Sequence, residues 1–216
     1  VMAEDSGQTV LAGLEPHILP LVDGLGDRLQ QGISVLDIGC GKGRAMLQLA
    51  SHYPNSHFTG IDLSEEAIGL ARQQAETAGL TNLQFAIGDL SEFNRTACTE
   101  HYDLVTSFDS IHDQAKPQNV LDGIFKTLKP GGTYLMQDIR ASSQLEKNLE
   151  HPIGPLLYTL SCMHCMTVSL AQEGAGLGTM WGEELALEML QCAGFEQPQV
   201  HQLEHDFQNN FYVMTK

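Results

Sequence analysis

The chain has 216 residues, of which 42% are hydrophobic and 18% are charged, a composition that indicates a folded domain and excludes a disordered chain. Twenty-seven acidic residues against eleven basic ones give a formal charge of −16. This charge disfavours nucleic acid as a partner, because binding to phosphates depends on Lys and Arg. We therefore expect a small-molecule ligand.

Features of targeting are absent from the sequence. No apolar run approaches the roughly 18–20 residues of a membrane span, and no basic segment is followed by an apolar secretory signal. The five cysteines, an odd number without the spacing of a disulfide-rich module, predict a reducing, cytoplasmic environment. Because the chain starts at Val1 rather than at a methionine, we expect a processed or excised protein that lacks a preceding domain.

The first two thirds of the chain alternate between strand and helix patterns. Amphipathic spacing over 8–31 predicts N-terminal helices, interrupted near Pro16 and Pro20. Five strands and the helices between them follow, with strands at 34–38, 57–63, 83–87, 102–108 and 133–139 and helices at 44–52, 64–78 and 117–128. This alternation is typical of a parallel, doubly wound sheet with right-handed crossovers.

The last third of the chain departs from that alternation. Residues 140–182 show no strand pattern and are rich in Met, Cys, His and Gly, so we predict a mostly helical insertion that forms a substrate lid after strand five. A helix and two closing strands complete the prediction, at 183–192, 199–205 and 211–215, with a turn at Asn209-Asn210. The predicted fold is α/β and Rossmann-like, a single domain over 1–216 whose seven-stranded sheet has its last strand antiparallel.

The most informative segment, Asp37-Ile38-Gly39-Cys40-Gly41-Lys42-Gly43, lies where strand one meets the next helix. Glycines there let the backbone turn sharply and lie against a ligand. Asp62 ends strand two about twenty residues downstream, where a carboxylate can accept hydrogen bonds from both hydroxyls of a ribose. Gly88-Asp89-Leu90 ends strand three, where an acidic side chain could reach an adenine amino group. Together these residues predict a site for an adenosine-bearing ligand.

The residues in and beside the glycine loop indicate which class of adenosine ligand binds. A dinucleotide fingerprint needs a third glycine where Arg44 stands, and no Gly-Lys-Ser/Thr sequence is present to hold phosphates. The Asp37 carboxylate instead suits a ligand with an ammonium group and a sulfonium, whereas a pyrophosphate favours a bare helix N-terminus. An NAD-dependent oxidoreductase remains the less favoured alternative.

These segments, together with Leu128-Lys129-Pro130-Gly131-Gly132, resemble the ordered motifs of class I S-adenosylmethionine-dependent methyltransferases. The resemblance implies S-adenosylmethionine as cofactor, with S-adenosylhomocysteine as its product. Asp37 and Gly39 would face the amino-acid part of the cofactor and Asp62 its ribose, while Asp89 and Leu90 would face the adenine. The full set of expected cofactor contacts is Asp37, Gly39, Cys40, Gly41, Asp62, Leu63, Gly88, Asp89, Leu90 and Phe108.

A closer resemblance lies in three further segments, residues 108–115, 158–166 and 176–182. They are similar to bacterial-type methyltransferases in which an N-terminal winged-helix, dimer-forming domain precedes the catalytic domain. The resemblance implies that only the catalytic half is present here. It also implies that the full-length protein forms a homodimer through the missing domain.

Candidate catalytic residues follow strand four, at the carboxyl edge of the sheet where open α/β folds bind ligands. There His112 could take a proton from an acceptor hydroxyl or amine, with Asp109 or Asp113 to orient it. The alternative is that His112 caps a helix or bonds a loop carbonyl. A base is needed only if the acceptor arrives protonated.

The insertion supplies the expected substrate pocket, lined by Tyr158, Cys162, His164, Met180 and Trp181. Cys162, His164 and Cys165 could instead bind zinc, but the second pair of ligands that zinc sites usually carry is missing, so we expect no metal. Trp181 could equally anchor the last helix. We expect a methyltransferase acting at oxygen or nitrogen of a small molecule; the alternative is a binding module that keeps the cofactor fold without transfer.

Overall fold

A computed structural model describes residues 9–216 of the chain, which form a seven-stranded sheet with strand order 3-2-1-4-5-7-6. The strands are β1 (Ser34–Ile38), β2 (His57–Asp62), β3 (Leu83–Ile87), β4 (Tyr102–Phe108), β5 (Leu128–Ile139), β6 (Gln199–Leu203) and β7 (Asp206–Thr215). β1 to β5 pair in parallel, whereas β7 runs antiparallel to both β5 and β6. The predicted Rossmann-like sheet of seven strands with the last antiparallel is confirmed.

The helices are α1 (Leu25–Gln31), α2 (Arg44–His52), α3 (Glu65–Thr77), α4 (Phe93–Thr96), α5 (Pro117–Thr127), α6 (Gly154–Leu160), α7 (Met166–Ala171) and α8 (Glu183–Ala193). A π turn and a 3₁₀ turn occupy Leu14–Ile18 and Leu19–Leu21, where the prolines were predicted to interrupt the N-terminal helix. That prediction began at residue 8, which lies outside the described residues. Ser64 caps α3 by accepting a hydrogen bond from the backbone N–H of Ala67, as its position predicts.

Helices cover the sheet on both faces. Successive residues of a strand point to opposite faces, so Val35 of β1 packs with the N-terminal helices, α2 and α3, whereas Leu36 packs with α5 and α8. Because β1 to β5 are parallel, their carboxyl ends meet at one edge of the sheet, where a ligand can bind. Among the described residues, no helix combines the length and the apolarity needed to cross a bilayer.

The turn predicted at Asn209-Asn210 is wrong, because both residues lie within β7. The chain turns at Glu204-His205, and Asn209 and Asn210 pair with β5. Asparagine favours turns when its side chain bonds the local backbone. Here the amide of Asn210 donates to Glu183 Oε2 at 2.8 Å instead, and the amide of Asn209 donates to Asp206 Oδ2 at 2.8 Å. These carboxylates give the amide nitrogens of both residues a partner inside a buried strand.

Residues 140–182, between β5 and α8, contain a 3₁₀ turn at Leu145–Asn148, α6, a π turn at Ser161–Cys165 and α7. The predicted helical insertion after strand five is confirmed. Glu184 of α8 anchors its start by accepting hydrogen bonds from the Ser143 backbone N–H at 2.8 Å and the Ser142 hydroxyl at 2.7 Å. These bonds, the Ser143 bond first, lower the pKa of Glu184 to about 2.

Candidate functional site

A cavity of about 470 Å³ opens at the carboxyl ends of the parallel strands. Its size lies within the range of about 300–1,000 Å³ typical of small-molecule sites. All ten residues predicted to contact the cofactor border this cavity, namely Asp37, Gly39, Cys40, Gly41, Asp62, Leu63, Gly88, Asp89, Leu90 and Phe108. The structure thus brings together segments from β1, β2, β3 and β4 that are far apart in sequence.

Glycine is required at two positions of the loop between β1 and α2, for a different structural reason at each. Gly39 adopts a φ of 67°, and a Cβ placed there would lie 2.5 Å from Ser110 Cβ, so no larger side chain fits. Gly41 adopts a φ of 53°, and a Cβ placed there would meet no protein atom within 4 Å. Gly41 therefore leaves a stretch of bare backbone at the cavity wall, which a ligand can approach closely.

Asp62 is joined directly to that loop. Its Oδ2 accepts a hydrogen bond from the Gly41 backbone N–H at 2.8 Å, and its Oδ1 accepts one from the Ser64 backbone N–H at 2.8 Å. A carboxylate offers about four lone-pair sites, so Asp62 keeps acceptor capacity on both oxygens while its orientation is held. This arrangement fits a ribose that donates two hydroxyl hydrogen bonds.

Asp89, at the end of β3, provides a second carboxylate on the cavity wall. Hydrogen bonds from the side chain and backbone of Ser91 lower the pKa of Asp89, and its Oδ1 accepts the Ser91 backbone N–H at 2.8 Å. Leu63, which follows Asp62, and Leu90, which follows Asp89, also border the cavity. Apolar side chains and an ionised acceptor are together suited to an adenine ring and its amino group.

Asp37, at the end of β1, is 3% exposed, and its Oδ1 accepts a hydrogen bond from the Thr106 hydroxyl at 2.7 Å. Burial raises the pKa of Asp37 to about 7, since the opposing Thr106 bond is outweighed and the nearby Asp62 charge adds to the rise. A buried carboxylate at the cavity wall without a cationic partner among the ion pairs of the described residues fits a ligand that carries an ammonium group. Asp37, Asp62, Asp89 and the bare loop therefore fit S-adenosylmethionine.

His112 also borders the cavity and is 1% exposed. Its Nδ1 is 2.8 Å from Asp138 Oδ1 and 3.9 Å from Asp109 Oδ1, while its Nε2 is 3.2 Å from Asp113 Oδ1. The carboxylate nearest to His112 is therefore Asp138, which the sequence analysis missed. The signal was available, because Asp138 lies at the carboxyl end of the predicted fifth strand just as Asp62 lies at that of the second.

Asp138 is completely buried at the end of β5 and is held by three donors at one oxygen. Besides the His112 ring, the indole Nε1–H of Trp181 donates to Asp138 Oδ1 at 3.1 Å, and the Ile139 backbone N–H donates to it at 2.8 Å. Asp138 in turn fixes the orientation of the His112 ring. Trp181 thus touches this wall from behind rather than lining the cavity.

The ionisation of this wall is governed by burial and by neighbouring charges. Burial disfavours the charged imidazolium of His112, but the Asp138 carboxylate and its hydrogen bond raise the pKa of His112 well above its ordinary value. Burial also raises the pKa of Asp109 to about 6, against the attraction of His112. Asp109 has a φ of 53°, a strained conformation for a residue other than glycine.

Only His164 of the five predicted pocket residues borders the cavity. Tyr158 instead accepts a hydrogen bond from Asn148 at 3.0 Å, Met180 packs in a small core, Trp181 bonds Asp138, and Cys162 is exposed. The insertion lines the cavity with three other residues besides His164, namely Cys165, Val168 and Gln172. The π turn at Ser161–Cys165 shifts the register of the helix that follows, so it changes which side chains of that helix point into the cavity. Helical spacing in the sequence predicts neither the turn nor this change.

Two further residues missing from the sequence prediction are Val10 and Leu11, from the N-terminal helical residues 9–13. They are apolar positions of an amphipathic helix, and nothing in their spacing distinguishes a cavity wall from the core. All three predicted catalytic residues, Asp109, His112 and Asp113, do border the cavity.

Residues 29–194 match the model of the family described as "Methyltransferase domain". The chain is 27% identical to a ubiquinone biosynthesis O-methyltransferase from Coxiella burnetii, over 82% of this chain and 71% of that protein. It is 32% identical to a protein of the same name from Actinobacillus pleuropneumoniae, over 50% of this chain and 46% of the relative, so it spans less than half of that relative's length.

A similar fold is found in the crystal structure of a SAM-dependent methyltransferase from Aquifex aeolicus. That structure superposes with a TM-score of 0.63 over 97% of both chains at 16% identity. At this identity the similarity concerns the fold alone.

Proposed function

The chain belongs to the class I S-adenosylmethionine-dependent methyltransferases, and from this premise we propose that it methylates a small molecule at oxygen or nitrogen. When bound, S-adenosylmethionine supplies a methyl group already activated by its sulfonium. The protein's own task is to hold the acceptor in line with that group and to exclude water. One cavity that extends from the Gly39–Gly41 loop to His112 supports this proposal.

We assign the cofactor half of the cavity to the residues on β1, β2 and β3. Asp62, held by Gly41 and Ser64, would bind the ribose, and Asp37 would bind the ammonium group. Asp89 would accept a hydrogen bond from the adenine amino group. The observation that carries the proposal is the 2.8 Å hydrogen bond from Gly41 to Asp62. It joins the glycine loop to the carboxylate expected to bind the ribose.

We assign the acceptor half to the wall around His112. Asp113, whose Oδ1 lies 3.2 Å from His112 Nε2, would take the proton from an acceptor hydroxyl or amine, because the raised pKa of His112 keeps its ring protonated near neutral pH. Asp138 would keep the ring in place through Nδ1. Asp109 would tune the charge of this wall rather than orient the ring, since it lies 3.9 Å from Nδ1.

We propose that residues 140–182 form the lid over the acceptor, within a single domain that spans 1–216. The support is that Cys165, Val168 and Gln172 of the insertion line the same cavity as the strand ends. The five cysteines are all free, which supports a reducing compartment such as the cytoplasm as the place of action.

The proposal is tested by calorimetry with S-adenosylmethionine and S-adenosylhomocysteine. Both should bind, and Asp62→Ala should weaken binding about ten- to hundredfold, because it removes charged hydrogen bonds worth about 1.5–3 kcal/mol. Asp27→Ala, which removes an exposed acid away from the cavity, is the matched control and should bind as the parent protein does. Absence of binding at millimolar ligand contradicts the proposal.

Catalysis is tested by screening phenols and amines for release of S-adenosylhomocysteine. Release with any acceptor, lost in His112→Asn, supports methyl transfer through this wall. Acceptors that bind without any release would favour a binding module that keeps the cofactor fold.

A further inference from the structure

The wall around His112 carries more negative charge than its protein partners balance. Asp109, Asp113 and Asp138 surround the ring, and every ion pair that these carboxylates form within residues 9–216 is with His112. Three carboxylates and one imidazolium leave an excess of two negative charges when all are ionised. Burying unbalanced charge is costly, so such a cluster favours either protons or a cation.

Unpartnered oxygens mark the same place. Asp109 Oδ1, Asp113 Oδ1 and Asp138 Oδ2 are all buried, and none accepts a hydrogen bond. Buried polar atoms are ordinarily paired, so orphaned oxygens require an explanation such as an ion. Their position around one imidazole points to a positively charged ligand.

Cys165 adds a soft donor to this cluster. A ring nitrogen of His112, a carboxylate oxygen of Asp113 and the Cys165 sulfur lie within 4.8 Å of one another. Nδ1 is already bonded to Asp138, so the nitrogen available to a ligand is Nε2, on the side of Asp113. Nitrogen, sulfur and carboxylate oxygen are together the donor set that zinc prefers.

The surroundings of His112 also match those of a metal-binding histidine. Such a histidine usually donates its second ring N–H to a carboxylate, which fixes the ring and strengthens the metal bond. Asp138 occupies this position, and Trp181 and Ile139 hold it there. The arrangement is more than a group of acids. Asp138 orients the His112 ring through Nδ1, and Nε2 lies near two further donors, Asp113 and Cys165.

We propose that His112 Nε2, Asp113 and Cys165 bind a zinc-type divalent cation at the acceptor wall of the cavity. Three protein ligands leave a fourth position, and the cavity that all three residues border gives a small molecule access to it. These ligands differ from the Cys162, His164 and Cys165 group considered from sequence, because Cys162 is exposed and does not border the cavity.

Binding of the cation releases the Cys165 thiol proton, and any proton on Nε2, to solvent. Its role in transfer rests on the proposed function. An acceptor hydroxyl bound in the fourth position would have a lower pKa and would lose its proton to water. With the cation bound, this loss would take the place of the direct proton transfer to the side chains around His112.

The test uses chelator-treated protein titrated with Co²⁺ and Zn²⁺. One Co²⁺ per chain should bind with a near-ultraviolet thiolate-to-cobalt band, and Zn²⁺ should displace it while Mg²⁺ should not. Cys165→Ser should abolish the band, whereas Cys162→Ser, three residues away and exposed, should keep it. Asp138→Asn should weaken Zn²⁺ binding about ten- to hundredfold through the lost outer support.

Three outcomes overturn the metal site: no binding, binding without a thiolate band, or a band that depends on Cys162 instead. Calorimetry with S-adenosylhomocysteine on the Cys165→Ser protein shows whether that variant is folded. It also separates the two proposals, because cofactor binding without metal binding removes only the metal site. Metal binding without cofactor binding leaves the metal site and removes the proposed function.

Discussion

Single carboxylates of the cavity ionise differently because their surroundings differ. Asp89 is hydrogen-bonded by Ser91 and has a lowered pKa, so it is charged throughout the neutral range. Asp37 is buried, and its pKa rises to about 7, so it changes charge near neutral pH. Burial penalises the charged form, whereas hydrogen bonds to the carboxylate favour it. One residue type therefore supplies a permanent charge at one point and a titrating one at another.

Cofactor affinity should consequently depend on pH through Asp37. Below pH 7 this group is protonated and cannot attract an ammonium group, whereas above pH 7 it is charged, so affinity rises with pH. Calorimetry with S-adenosylhomocysteine should show a gain of up to about tenfold between about pH 6 and pH 8, since one pKa unit corresponds to 1.36 kcal/mol.

Asp37→Asn should flatten this dependence. Asp89→Asn is the matched control, because it removes a carboxylate that is already ionised, and it should keep the slope even if affinity falls. A slope that survives in Asp37→Asn would assign the titration to another group.

At the scale of elements, the conformation of the loop between β1 and α2 depends on a neighbouring segment. Gly39 lies against Ser110, whose hydroxyl donates to the Ile38 carbonyl at 2.8 Å. The loop between β1 and α2 is thereby packed against the segment that follows β4. Its conformation is set by contact between elements as well as by the left-handed backbone.

Gly39→Ala should therefore destabilise the protein more than Gly79→Ala does. Both glycines have a φ of 67°, but a Cβ at Gly79 meets no atom within 4 Å. Left-handed strain should cost about 1–2 kcal/mol at Gly79. Gly39 should lose a further amount of about 1–3 kcal/mol from the clash with Ser110. Urea unfolding measures both variants, and equal losses would show that Ser110 moves aside freely.

In the whole molecule, the cavity couples elements from the N-terminal helix to the insertion. Val10, Asp62, His112 and Val168 all border it although they are spread along the chain. A ligand that fills the cavity contacts several elements at once and binds only the folded state. Binding should therefore stabilise the entire fold.

Thermal unfolding should record this coupling. S-adenosylhomocysteine at about 100 times its Kd adds about 2.7 kcal/mol of stability. For a chain of this size that corresponds to a rise in Tm of roughly 5–10 °C. Asp62→Ala at the same ligand concentration should show a smaller rise, and NADH should produce none. A rise with NADH would instead favour the dinucleotide alternative.

Much of the fold could be predicted because it depends on local pattern. The first four strands were predicted to within one residue of their observed bounds, since short apolar runs bounded by turn residues have a strong local signal. The turn at Asn209-Asn210 could not be predicted, because both residues pair with β5 and the partner of the Asn210 amide, Glu183, is brought to it by tertiary packing. The predicted homodimer, formed through a domain outside this chain, stays a prediction.

The sequence by itself determined the alternation of strands and helices and ten residues that border the cavity, because parallel strands deliver their carboxyl ends to one edge. Only the tertiary structure decided the surroundings of His112. Asp138 of β5 and Cys165 of the π turn lie beside His112, and Trp181 at the end of the insertion donates a hydrogen bond to Asp138. No periodicity relates these positions, because their proximity results from packing between elements distant in sequence.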